Sequence, residues 1–230
     1  MKKGYPQCAF CPVPKEERIC LNPEGRGPDF CPTVHRKEAV ERGLRKLDDP
    51  EDRRFAVQAS IQEAECYSDR HARPFVLRPV KPRLQEIAEF ARRMGYRRLG
   101  LAFCEGLESE AKTTARILTR HGFEVVSVMC CVGGIPKEEL GLEPEQKILC
   151  DSFEPMCNPT AQAEVLNEAG TELNILLGLC VGHDSLFMKY SEAYCTVFAV
   201  KDRVLGHNPL ALIYTAGSYY RRFMDPGGKE

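Results

Sequence analysis

LGLAFCEGLESEAKTTARILTRHGFEVVSVMCC, residues 99–131, decides the fold. LGLAF (99–103) is an apolar run of the length of a buried strand, and FEVVSVM (123–129) is a second. Between them Leu107 to His121 has helical spacing and stops at Gly122, which can take the left-handed conformation that closes a helix. A strand, a crossover helix and a second buried strand predict a parallel pair.

The same pattern continues downstream. Asn158-Pro159 supplies an N-cap and a proline at the first helical position for a helix to about Ala169. LNILLGL (173–179) reads as a third strand, His183 to Ser191 as a short helix and CTVFAV (195–200) as a fourth strand. The expected fold is α/β, a Rossmann-like parallel sheet with helices on both faces, preceded by a small cysteine-rich metal-binding segment and helices. Residues 1–33 form the cysteine-rich segment, 34–82 a helical linker region and 83–230 the Rossmann-like domain. Within the linker, Val34 to about Leu47 is weakly helical, and Asp49-Pro50-Glu51-Asp52 opens a second helix. A proline-rich connection (Pro74, Pro79, Pro82) leads to Leu84, Ile87, Ala88, Ala91 and Met94 at helical spacing, with Gly95 as the stop. Residues 132–157 read as a long irregular loop, a kind that is usually functional.

The amino end carries Cys8, Cys11, Cys20 and Cys31 as C-x2-C-x8-C-x10-C-P in a stretch with little apolar periodicity. Such a segment needs something other than a hydrophobic core, and thiolates converging on a metal convert binding free energy into folding free energy. Zinc usually takes two short C-x2-C knuckles and here there is one, while a proline after the last cysteine is common in iron–sulfur sites, so the spacing does not separate the two metals. Twelve cysteines in 230 residues, with no leader-like apolar run in MKKGYPQC, point to a reducing cytoplasm and to metal or thiol chemistry in place of disulfides. That content favours a 4Fe-4S iron–sulfur cluster, with zinc the alternative at Cys8, Cys11, Cys20 and Cys31. No run approaches the roughly 20 apolar residues of a membrane span. A net charge of −1, from 32 basic and 33 acidic residues interspersed along the chain, gives no electrostatic reason to expect nucleic acid.

In a parallel sheet every strand delivers its C-terminal end to one edge, where ligands gather. That rule sorts the remaining cysteines. Cys104 follows the first strand, Cys130 and Cys131 close the second, Cys157 precedes the capped helix and Cys180 ends the third strand, so all five share the ligand edge. Cys195 and His121 fall on the opposite edge as packing or surface residues, and Cys66 and Cys150 have no assigned role. His183 and Asp184 in GLCVGHD (178–184), with Lys201 and His207 in VKDRVLGHNP (200–209), are candidates to exchange protons or bind a small anion at that edge. There is no G-x-G-x-x-G, no Walker loop and no G-x-S-x-G elbow.

GLCVGHDSLFMKYSEA (178–193), CNPTAQAEVLN (157–167), VKDRVLGHNP (200–209) and the opening cysteines together resemble a prokaryotic family of cysteine-rich metal-binding proteins of unknown function, over nearly the whole chain. The resemblance implies metal binding through Cys8, Cys11, Cys20 and Cys31, and through Cys157, Cys180, His183 and Asp184. Where the family pattern reads Ala-Pro before the fourth strand, this chain has Ala193-Tyr194-Cys195, consistent with Cys195 lying outside the site.

Three functional expectations follow. The first is an iron–sulfur protein with a redox or cluster-assisted catalytic centre at the sheet edge. The second is a structural-zinc module that binds a small anion or a partner protein. The third is a thiol enzyme with Cys180 as nucleophile and His183 as base. The expected partners are a small anionic substrate or a redox partner protein.

Overall fold

The computed structural model describes residues 4–224. The chain forms two compact units, Met1–Glu65 and Cys66–Glu230.

In the first unit, Val13 is the one buried hydrophobic side chain among the described residues. Order comes instead from turns and backbone bridges. Short 3₁₀ turns at Cys8–Phe10 and Lys15–Glu17 are followed by a loop in which Ile19 N–H bonds Arg26 O at 3.1 Å and Arg26 N–H bonds Glu17 O at 2.8 Å. Arg18 ties the segment further, donating from Nε to Val13 O at 2.8 Å. Three helices complete the unit: α1 (Pro32–His35), α2 (Lys37–Lys46) and α3 (Pro50–Glu65). Asp49 caps α3 as its position before Pro50 predicts, its carboxylate accepting the Glu51 and Asp52 N–H groups at 2.9 and 3.1 Å.

The second unit opens on a two-stranded antiparallel ribbon, β1 (Tyr67–Ser68) with β2 (Arg78–Pro79), inside a stretch whose prolines read as plain connection. Helix α4 (Arg83–Met94) ends at Gly95, which takes φ 76°. Then come β3 (Arg98–Phe103), α5 (Glu108–Arg120), β4 (Glu124–Met129), α6 (Pro159–Glu168), β5 (Leu173–Leu177), α7 (His183–Tyr190), β6 (Tyr194–Ala199) and α8 (Leu210–Tyr214).

The four strands β3 to β6 pair in parallel in the order β4-β3-β5-β6. Alternating side chains feed two cores, as a sheet covered on both sides requires. Leu99, Leu101, Phe103, Leu173, Ile175 and Leu177 pack with Ile87, Ala88 and Ala91 of α4 and Ala111 and Leu118 of α5. On the other face Ala102, Val128 and Leu176 pack with Ala163 and Leu166 of α6 and Phe187 of α7. The fold is therefore the expected α/β sheet flanked by helices. The third strand of the sheet ends at Leu177, three residues before Cys180, because Gly178 turns the chain at φ 69°.

One polar device sits inside this sheet. Asn174, fully buried in β5, accepts a bond from Thr171 Oγ1 at 2.7 Å and donates to Ser191 Oγ at 2.8 Å. Its register partner is Gly100, and a Cβ there would lie 1.9 Å from the Asn174 carbonyl oxygen.

Candidate metal centre

The strand order reverses between β3 and β5, and such a switch point opens a crevice at the carboxyl ends of the strands. The backbone brings cysteines to that crevice by extending the ladder beyond each strand. Cys104 N–H bonds Leu177 O at 3.1 Å, Cys130 N–H bonds Phe103 O at 2.9 Å, and Asn158 N–H bonds Cys130 O at 2.7 Å, which holds Cys157 next to strand β4. Gln162 of α6, fully buried, clamps two of these strand ends by donating from Nε2 to Phe103 O at 3.2 Å and Val128 O at 2.7 Å. Its Oε1 is buried without a hydrogen-bond partner.

The sulfurs meet. The Cys131 sulfur lies 3.8 Å from that of Cys130, and Cys104, Cys130 and Cys157 stand close enough to shift one another's protons. Cys157 feels the charges of Cys131, Cys180 and Cys104, so all five ligand-edge thiols belong to one electrostatic neighbourhood. Their protons are unequally held. Donation to Cys130, with burial, pushes the Cys104 thiol up. At Cys130 the bond from Cys104 favours the thiolate, yet donation to Cys157 and burial outweigh it and the net shift is upward. The bond from Cys130 pulls Cys157 down in spite of burial.

N–H donors converge on three of these sulfurs. Lys201 Nζ reaches Cys104 Sγ at 3.3 Å, where the Gly106 N–H also points. Glu105 N–H reaches Cys130 Sγ at 3.3 Å, and an Arg203 guanidinium nitrogen reaches Cys180 Sγ at 3.2 Å. The Cys180 sulfur in turn holds the Arg203 proton more firmly than usual. Gly106 leaves the space this needs, since a Cβ there would sit 3.1 Å from Lys201 Nζ. A thiol sulfur is a weak acceptor, whereas a thiolate is a strong one, so two cations and two backbone amides aimed at sulfur fit a centre that carries anionic sulfur.

Cys8, Cys11 and Cys20, with Cys31 at the start of α1, line a cavity of about 80 Å³ together with Arg18, Pro28 and Phe30. Cys11 N–H bonds Cys8 O at 3.2 Å and Cys31 N–H bonds Pro28 O at 2.8 Å, so two of the four thiols sit on tight turns. Gly27 lets Cys31 in, because a Cβ there would lie 2.7 Å from its sulfur. This is a cradle shaped by small residues around four thiols.

Other predicted residues stand around the sheet edge in different ways. His183 and Asp184 donate their backbone N–H groups to Cys180 O at 3.0 and 3.1 Å, and the Asp184 carboxylate turns to Ser185 N–H at 2.7 Å. His207, at φ 64°, accepts the Asp202 N–H on Nδ1 at 3.1 Å, while the Asp202 carboxylate accepts from Val204 and Leu205. The pair closes the loop that presents Lys201 and Arg203. Cys195 lies within β6, away from the C-terminal edge, and burial pushes its thiol up. Cys66 is buried beside the β1–β2 ribbon, and Cys150 is exposed on the 132–157 loop. Reading the sequence by strand ends finds the cysteines, Arg203 in the stretch after the fourth strand and Gly106 as a glycine that permits close backbone approach, but not Glu105 or Gln162, whose residue types carry no signal.

Among the described residues no group of three or more Cys, His, Asp and Glu side chains stands where it could hold a metal ion. No helix of the described residues is long and apolar enough to cross a membrane. Residues 31–198 match a family described as "Protein of unknown function (DUF1847)". Over 140 residues, covering 61% of this chain and 69% of its relative, the sequence is 56% identical to "Uncharacterized protein MJ0455" of Methanocaldococcus jannaschii.

Proposed function

The chain belongs to the DUF1847 family, and from that premise we propose that it is a metal–thiolate protein whose sheet edge holds a redox-active iron–sulfur cluster. One observation carries the reading: five cysteines from successive strand ends and a helix start gather at one sheet edge, and Lys201, Arg203 and two backbone amides direct N–H groups at their sulfurs. The ligands would be Cys104, Cys130, Cys157 and Cys180. Cys130 is assigned over Cys131 because it is the buried member of the pair and carries the Glu105 N–H bond and the links to Cys104 and Cys157. Such a cluster supplies one-electron chemistry, tuned by hydrogen bonds to its sulfurs and by net charge. Lys201 and Arg203 bear on that charge, while His183, Asp184 and His207 shape the loops around it, where a small anionic substrate or a redox partner protein would bind.

The amino-terminal thiols support a different occupant. All four line one small cavity, and a single ion needs no more than these four thiolates. Zinc bound by Cys8, Cys11, Cys20 and Cys31 would give the first unit the stability its single buried hydrophobic residue does not.

Anaerobic purification followed by iron, acid-labile sulfide and zinc analysis tests both assignments. The expected result is about four irons with equal sulfide and about one zinc per chain, with a visible charge-transfer band. Cys157→Ser removes iron but not zinc, and Cys11→Ser removes zinc but not iron. Protein with neither iron nor sulfide after anaerobic reconstitution refutes the sheet-edge assignment, and loss of both metals in either variant refutes two separate sites.

A further inference from the structure

We infer that Lys201 and Arg203 are the charge-compensating residues that hold up the reduction potential of the sheet-edge centre, Lys201 through Cys104 and Arg203 through Cys180. This rests on the proposed cluster and adds the residues that set its working range.

The two cations reach different sulfurs. Cys104 follows the central strand β3 and is buried, and Cys180 follows β5 and is half-buried. Both cations come from one short loop after the edge strand β6, closed by the Asp202–His207 pair. Lys201 N–H is itself anchored on Leu179 O at 3.3 Å, one residue from Cys180, so the backbone brings the cation-bearing loop against the cysteine-bearing one. Neither cation has an ion pair with a carboxylate among the described residues. Their charge is thus directed at sulfur and not spent on a neighbour.

Four thiolates on a cluster make a centre that is negative before reduction and more negative after it. Reduction adds one electron, drawn from dithionite in the experiment below, and neither forms nor breaks a bond. A cation at hydrogen-bond distance favours the more negative state, and hydrogen bonds to the sulfurs act in the same sense. Lys201 is half-buried, whereas Arg203 is exposed and screened by salt, so Lys201 has the larger effect.

The test is an anaerobic dithionite titration of the iron-loaded full chain, followed by electron paramagnetic resonance, on wild type, Lys201→Met, Lys201→Arg and Arg203→Met. Lys201→Met is expected to shift the reduction equilibrium tenfold or more toward the oxidised form, a fall of 59 mV for one electron. Arg203→Met gives a smaller fall that shrinks as salt is raised, and Lys201→Arg restores the wild-type midpoint. Should Lys201→Met not retain iron, the exposed Arg203→Met carries the comparison. Unchanged midpoints in iron-loaded methionine variants overturn the inference and leave the cluster assignment standing. Wild-type protein that takes up no iron overturns both.

Discussion

Gly178 lets the two loops that bring Cys104 and Cys180 to the sheet edge come together, and replacing it tests whether their approach is as tight as the geometry requires. A Cβ at 178 would lie 1.8 Å from Leu107 Cδ1, on the turn just after Cys104, and residue 178 holds φ 69°. Gly178→Ala therefore meets two independent penalties. Left-handed backbone at a residue with a side chain costs about 1–2 kcal/mol. Overpacking against the buried Leu107 costs about 1–3 kcal/mol more. The expected loss of about 2–5 kcal/mol compares with total stabilities of about 5–15 kcal/mol, so the variant folds but is weakened. Leu107→Ala alone costs about 2–5 kcal/mol through the cavity it leaves. Together the two changes should not add, because removing Leu107 erases the collision and leaves only the backbone penalty. The double variant is then more stable than the sum of the singles by about 1–3 kcal/mol, the size of the clash. Urea unfolding followed by circular dichroism at 222 nm, under reductant, gives the four corners of the cycle. Coupling within about 0.5 kcal/mol of zero, the scatter of independent sites, would refute the claim that Gly178 exists to admit Leu107.

Two further perturbations probe the elements around the crevice. In the 132–157 loop, the Lys147 ammonium holds the Glu138 carboxyl below its usual value, and Glu154 is held down by the Leu149 N–H and then by Lys137. Both folded values lie below the unfolded one, so their contribution is complete above the ordinary carboxylate value of 4.5 and is lost as pH falls through the depressed values. Amide exchange corrected for intrinsic rate should show residues 136–155 losing protection in acid before the sheet does; equal loss across both would contradict this. In the sheet, Gly100→Ala drives a Cβ into Asn174 and breaks its bonds to Thr171 and Ser191, each buried group left unpaired costing about 1–3 kcal/mol. Combining it with Asn174→Ala should recover part of the loss in urea unfolding, and no recovery would mean the clash is absorbed elsewhere.

What the sequence made legible was whatever periodicity and strand ends encode. LGLAF and LNILL are buried on both faces and read as continuous hydrophobic stretches, and the edge runs FEVVSVM and CTVFAV are less buried but still apolar. The strand ends locate Cys104, Cys130 and Cys180 while the Asn158-Pro159 cap locates Cys157, all without any knowledge of contacts. The β1–β2 ribbon was illegible because two residues per strand carry no period, and its second strand contains Pro79. His207 read as a candidate proton carrier because histidine titrates near neutrality; its use as an acceptor for the Asp202 amide depends on a left-handed turn that residue type does not announce. The donors to sulfur were hidden for a different reason. Glu105 and Gly106 act through backbone N–H groups that every residue but proline has, and Gln162 acts on carbonyls from strands 34 and 59 residues away. A cysteine pattern identifies thiols that can converge, but the N–H groups around them separate an anionic sulfur cluster from a set of small buried side chains. Those groups depend on the order β4-β3-β5-β6, which brings the Lys201–Arg203 loop to the far side of Cys180.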